Sequence, residues 1–146
     1  MEKIRDLWND SKYLKIVIGL VCIIIILLIF IPFTNSQKKE QKELTKELEK
    51  LGKDFYENFY YNQIGGDNIE TKKALLSING SYGLKITLEN IASSLGKEQE
   101  IYSKFKNSKE NKECDKQQTT VTIFPKEPYG QQDYTIETNL ECEYKK

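Results

Sequence analysis

The sequence predicts an α+β protein: a single N-terminal transmembrane helix, an amphipathic stalk helix, and a small helical domain ending in a disulfide-linked antiparallel β-hairpin. Three observations carry this prediction. A long uncharged apolar run lies near the N-terminus, a stripe of apolar residues at helical spacing follows it, and two β-forming runs separated by Pro and Gly lie near the C-terminus.

The apolar run covers residues 13–33, and its central part, Ile16–Ile31, carries no charge. At a rise of about 1.5 Å per residue, a helix of this length covers a hydrocarbon core of roughly 30 Å. We therefore expect a transmembrane helix at 13–33 behind a cytoplasmic flank at 1–12, with the helix breaking near Pro32. The lipid bilayer is the first expected partner.

Two features bear on how the chain sits in the membrane. Thr34 and Ser36 offer the small residues of a signal-peptidase site, but the apolar run is longer than a usual signal peptide core, which favours an uncleaved signal anchor. Cys22 lies deep within this run and is interpreted as a plain apolar side chain. Lysines flank the run on both sides, so the positive-inside rule does not decide the orientation.

The residues after the anchor predict a stalk helix over 34–62. Its apolar positions recur at intervals of three and four among Lys and Glu, and they are Leu44, Leu48, Leu51, Phe55 and Phe59. Ser36 is a suitable cap, and Gly65 with Gly66 would end the helix. The stripe is short for a coiled coil, so we expect it to pack on the chain's own domain, with self-association through the stalk as the alternative.

An aromatic segment, FYENFYY, closes the stalk helix. Core packing is the favoured interpretation, because Phe55 and Phe59 continue the apolar stripe. The alternative is a partner surface formed by Tyr56, Tyr60 and Tyr61, on which a glycan or a peptide would stack.

Residues 63–146 predict the small α+β domain. Asp67 and Glu70 have the spacing of a capping box, and the helix that follows would stop at Asn79 and Gly80. The next segment alternates like a strand but also fits a helix, and we favour a helix over Thr87–Leu95. One or two more helical turns are expected around residues 101–105.

The hairpin prediction rests on β-forming runs at 119–124 and 134–140. Pairing Val121 with Ile136, and Ile123 with Tyr134, places the apolar side chains on one face.

Cys114 and Cys142 fall one residue off this hairpin register, which predicts a disulfide between them. Disulfides persist outside the cytoplasm. We therefore expect a single-pass protein of the cell membrane, with a cytoplasmic N-terminus and an extracytoplasmic C-terminal domain.

Composition argues against several functions. The chain has no His, which removes the commonest general base and metal ligand, and no motif indicates a cofactor, a metal or an enzyme. Charge is balanced, with 22 Lys plus Arg and 22 Asp plus Glu, so nucleic-acid binding is not expected.

The arrangement of an N-terminal apolar helix, an amphipathic continuation, a small mixed domain and a cysteine pair around a terminal hairpin resembles type IV pilins and pseudopilins. The resemblance covers the whole chain as architecture. It implies a structural or assembly component of a bacterial cell envelope that contacts other envelope proteins. Lys15 and Ile16 stand where pilin precursors carry their processing motif, so no functional residue is carried over. The alternative function is an anchored binding module for a glycan or peptide.

Overall fold

The computed structural model describes residues 11–108 and 111–143, without the side chains of 11–15 and 27–35. The chain forms two compact units, Met1–Glu40 and Gln41–Lys146. The bounds of the first helix, α1, are Ser11–Phe55, so it belongs in part to each unit.

The first unit contains the beginning of α1, which continues through Pro32 and Ser36 without the predicted break. One helix, as far as Phe55, thus covers residues of both segments for which separate helices were expected, 13–33 and 34–62. The fixed φ of proline is itself helical, so Pro32 can lie within α1 although it removes one backbone hydrogen bond.

Within the described residues, no helix combines the length and the apolar character that crossing a membrane requires.

In the second unit the predicted apolar stripe of α1 is confirmed. Leu48 and Phe55 are buried, and Leu44, Leu51 and Phe59 pack against the same core. After Phe55 the chain continues as a π-helix, Tyr56–Tyr60. The short helix α2, Tyr61–Gln63, follows it.

Helix α3 spans Ile69–Tyr82 and begins differently from the prediction. Its N-cap is Asn68, whose side-chain oxygen accepts a hydrogen bond from the Thr71 amide at 3.0 Å, in place of an Asp67 capping box. The helix also continues past Gly80, where a Cβ would lie 2.5 Å from the Pro125 carbonyl oxygen. Glycine at this position permits close packing of α3 on the sheet.

Strand β1, Leu84–Thr87, and helix α4, Leu88–Leu95, divide the segment whose periodicity was ambiguous. The helix prediction is confirmed, with Thr87 as the N-cap that accepts from the Asn90 amide. Helix α5, Glu98–Lys104, confirms the extra helical turns.

Strands β4, Thr120–Pro125, and β5, Tyr134–Asn139, form the predicted antiparallel hairpin, and β1 pairs with the other side of β4. The predicted register is wrong by two residues, because Val121 pairs with Thr138 and Ile123 with Ile136. A shift of two keeps every side chain on the same face, so apolar pattern alone does not distinguish these registers.

The disulfide Cys114–Cys142 is present, with Cα atoms 4.2 Å apart. Cys114 follows a small two-stranded sheet of β2, Lys106–Asn107, and β3, Lys112–Glu113. The Asp115 amide then donates to the Glu141 carbonyl at 2.8 Å. The bridge therefore joins the segment before β4 to the segment after β5, and neither cysteine belongs to the hairpin strands.

Candidate functional site

The aromatic segment at the π-helix lies in the core of the second unit. Tyr56 is fully buried, and its ring centroid lies 4.7 Å from that of Tyr134 in an edge-on arrangement. This burial agrees with the favoured interpretation of the segment as core packing, whereas the alternative of a partner surface would need an accessible Tyr56 ring. Tyr56 is the first residue of the π-helix and lies in the core beside Phe55.

Tyr60 and Tyr61 are half-buried, and intramolecular hydrogen bonds engage both hydroxyls. Tyr60 accepts from the Asn79 side-chain amide at 2.6 Å, while Tyr61 donates to the Tyr129 carbonyl at 3.2 Å. These contacts join α3 to the π-helix and the hairpin loop to α2. The residues of the predicted stacking surface thus serve packing within the domain.

Two phenols of this cluster have strongly altered acidity. Burial raises the pKa of Tyr56, and the neighbouring Tyr61 and Tyr60 add to the effect. Burial also raises the pKa of Tyr134, assisted by the hydrogen bond that its hydroxyl donates to the Glu57 carboxylate. The Tyr56 hydroxyl is buried and has no hydrogen-bond partner among the described residues. The cluster is neutral and tightly packed, which suits a structural role.

An acidic hollow of about 380 Å³ lies beside Cys142 of the disulfide. Its carboxylates come from the segments on both sides of the bridge, namely Glu113, Asp115, Glu141 and Glu143. Lys112 pairs with Glu143 at its rim. In the part of the chain that the structure describes, no group of three or more acidic, Cys or His side chains is arranged to hold a metal ion.

A groove of similar volume, about 380 Å³, is lined by residues of α1, the π-helix and α5, and by Lys97 just before α5. Leu51 and Ile101 provide its apolar lining, while lysines and carboxylates alternate around it. Lys104 pairs with Glu100 at 2.8 Å within this rim. The mixed charges create no field of one sign that would select an anionic or cationic ligand.

Two surface features were missed by the sequence analysis. On α3, Leu75, Ile78 and Tyr82 are exposed at spacings of three and four, and Tyr82 is 85% exposed. The buried residue of α3 is Leu76, so its other apolar side chains do not form a single buried stripe. The second feature is the outer edge of β5, which is an edge strand of the sheet. Its signal in the sequence is a six-residue run, YTIETN, with a single charge.

Comparisons of the chain with protein-family models, with curated proteins and with solved structures find no match.

Proposed function

We propose that this protein is a single-pass, membrane-anchored component of a bacterial cell envelope, with a structural or assembly role. Its N-terminus is cytoplasmic, and its α+β domain is displayed outside and contacts other proteins. The proposal combines an anchor, a location and a mode of action, each supported by a separate observation.

The surface of α1 between Ile16 and Ile26 is the observation that carries the anchor. Its nine large apolar side chains are between 48% and 59% exposed, and they occupy every side of the helix. A helix that is apolar on all sides requires an apolar environment. In the sequence, the uncharged run continues to Ile31, a length that suits a bilayer.

The Cys114–Cys142 disulfide supports the location outside the cytoplasm. Such bonds form and persist in oxidising compartments and are rare in the cytosol. With the domain outside, a single span places the N-terminus inside.

A mode of action through protein contacts is favoured by the surface of the domain. Its aromatic cluster is used for internal packing, which weakens the alternative of a glycan- or peptide-stacking module on Tyr60 and Tyr61. The features that remain at the surface are the apolar face of α3 and the open edge of β5, and both suit contact with another protein.

Membrane fractionation of the full chain tests the anchor. We expect the chain to remain with membranes after carbonate extraction, and we expect the double variant Ile23→Asp with Ile26→Asp to move to the soluble fraction. Each central charge costs about 3 kcal/mol of insertion free energy. The matched control is Ile69→Asp, a position on α3 that is 68% exposed and should leave fractionation unchanged. A soluble unmodified chain would contradict the anchor.

Labelling of intact cells tests the location. Tyr82→Cys, placed in a chain that also carries Cys22→Ser, puts a single exposed thiol on the domain. A membrane-impermeant maleimide should label this thiol in intact cells. Labelling only after permeabilisation would place the domain in the cytoplasm.

The assembly role predicts that the chain runs as a discrete species larger than a monomer when membranes are solubilised mildly and separated by native electrophoresis. A monomer across the range of mild detergents would oppose it.

A further inference from the structure

The backbone of β5 has an outward-facing edge whose direction follows from two hydrogen bonds. The Leu88 amide donates to the Thr119 carbonyl, which continues the pairing register between β1 and β4. The Lys126 amide donates to the Asp133 carbonyl, which continues the pairing register between β4 and β5. Backbone groups alternate in direction along an antiparallel strand. Thr135 and Glu137 therefore bond to β4, whereas Ile136 directs its amide and carbonyl away from the sheet.

The residues that face outward along this edge are Tyr134, Ile136 and Thr138. Within the described residues, the Ile136 and Thr138 backbone forms no hydrogen bond outside the ladder, while the Tyr134 amide contacts the Gln132 carbonyl at 3.2 Å. Natural edge strands are protected by Pro, by charged side chains (especially Lys) or by a bulge. Strand β5 has no Pro, Lys or bulge between Tyr134 and Asn139, its single charge is Glu137, and its register with β4 is continuous.

We propose that β5 pairs with β5 of a second copy of this chain, antiparallel and centred on Ile136. The two three-stranded sheets then join into one continuous sheet. This inference rests on the proposed assembly role and names its partner. Ile136 of each copy exchanges backbone hydrogen bonds with the other, and each Thr138 amide donates to the second copy's Tyr134 carbonyl.

Charge selects this register over its neighbours. With Ile136 at the centre, Glu137 lies opposite the second copy's Thr135. Centring the pair on Glu137 would place the two Glu137 carboxylates opposite each other, and centring it on Thr135 would place Glu137 opposite Asp133. Like charges directly opposite destabilise a strand pair.

Side-chain burial supports the same arrangement. The Ile136 side chain packs against the domain core but is only partly buried, and pairing would bring the two Ile136 side chains together. Tyr134 and Thr138 lie on the same face, whereas Thr135, Glu137 and Asn139 are exposed on the other. The dimer would therefore extend the apolar face of the sheet and leave its polar face in water.

Cysteine cross-linking between two variants tests the register. In the full chain carrying Cys22→Ser, we mix a Thr135→Cys variant with a Glu137→Cys variant in detergent micelles and apply a mild oxidant. Both positions are exposed, so neither substitution should disturb folding. In the proposed dimer they form a non-hydrogen-bonded pair with Cα atoms about 4.5 Å apart, which permits a disulfide.

The Thr135→Cys variant alone is the matched control, because it keeps Glu137 and its cysteines in the two copies are displaced by two residues along the strands, about 7 Å. We expect a cross-linked dimer in the mixture and little in the Thr135→Cys variant alone. No cross-link, or equal cross-linking in that variant, would overturn the proposed pairing. If native electrophoresis showed a discrete complex but this cross-link did not form, the assembly role would stand and the complex would have to use another contact. If the full chain did not fractionate with membranes, the proposed anchor would be wrong instead.

A charge pair at one exposed position provides a second measurement. Thr135→Lys places an ammonium opposite the second copy's Glu137, and Thr135→Glu places a carboxylate there. Sedimentation equilibrium should show tighter dimerisation for the Lys variant and weaker dimerisation for the Glu variant. Each dissociation constant should differ from that of the unmodified chain by at least about 2-fold. Equal dissociation constants, or the reverse order, would overturn the register.

Discussion

The Tyr134 hydroxyl donates a hydrogen bond to the Glu57 carboxylate, and this contact joins β5 to the π-helix that follows α1. The Gln131 side-chain amide donates to the Glu57 carbonyl at 2.7 Å, so one residue of the π-helix binds both the hairpin loop and the strand after it. The hairpin and the helix are thus connected by polar contacts as well as by the aromatic rings.

Replacement of Tyr134 by Phe tests this connection. The variant keeps the ring against Tyr56 but leaves Glu57 without its hydroxyl donor. A hydrogen bond to a charged group contributes about 1.5 to 3 kcal/mol, and partial exposure places this one near the lower limit. We expect the free energy of unfolding to fall by about 1.5 kcal/mol in urea denaturation. Tyr82→Phe, at an exposed position, is the control and should change nothing.

Replacement of Tyr56 by Phe should have the opposite effect. The Tyr56 hydroxyl is fully buried and lacks a partner among the described residues. A buried unsatisfied polar group costs about 1 to 3 kcal/mol, so removing it should raise the free energy of unfolding by about 1 kcal/mol. The same urea denaturation series measures both variants. A loss of stability in Tyr56→Phe would show that this hydroxyl makes a stabilising contact.

Alkaline pH should destabilise the domain, because the pKa values of Tyr56 and Tyr134 are raised in the folded state. An unfolded tyrosine loses its proton near its ordinary pKa of 10.0, while these two keep theirs. The folded state then holds more protons, so stability falls as pH rises above that value. Thermal melting followed from neutral to strongly alkaline pH measures this decline. The double variant Tyr56→Phe with Tyr134→Phe should show a shallower decline, and an identical slope would contradict the assignment.

Leu48 anchors α1 in the core of the second unit, where it is fully buried. Leu48→Ala should lower the free energy of unfolding by about 3 kcal/mol, since truncation of a buried Leu removes apolar contact and leaves a cavity. Leu48→Asp should prevent folding of the domain, because it buries an unpaired charge. Leu75→Ala on the exposed face of α3 is the matched control, with an expected loss below about 1 kcal/mol.

These contacts also show what the sequence could reveal. The stripe from Leu44 to Phe59 was predictable, because helical periodicity reports burial directly. The π-helix was not, since an added residue in one turn leaves the composition unchanged. Strand β1 depends on pairing with β4, more than thirty residues later in the chain, which local periodicity does not report.

The hairpin illustrates a second limit. Its face pattern was predictable, but a register shift of two residues preserves that pattern, so the pairing of Ile123 with Ile136 depends on the loop. Asp133 holds that loop by accepting from the Gly130 amide at 2.8 Å. The open edge of β5 became visible only once the partners of β4 were known on both sides.

The disulfide was predictable because both cysteines lie just outside the hairpin, and it leads to the last prediction. The bond joins positions separated by 28 residues, and closing such a loop should stabilise the domain by about 3.5 kcal/mol in the chain-entropy model. The double variant Cys114→Ser with Cys142→Ser should lose about this much in urea denaturation. Cys22→Ser, which alters the free cysteine of α1, is the control and should leave stability unchanged.

Thiol labelling of the unmodified chain in denaturant, with and without reductant, measures the bond itself. We expect Cys22 to label in both conditions and the peptides containing Cys114 and Cys142 to label only after reduction. The carboxylates around the bond should also slow its reduction by an anionic thiol, because Glu113, Asp115, Glu141 and Glu143 repel the attacking thiolate. Added salt would screen this repulsion and speed reduction. Labelling of Cys114 and Cys142 without reductant would show that the disulfide is absent. The proposed location of the domain outside the cytoplasm would then lose its main support.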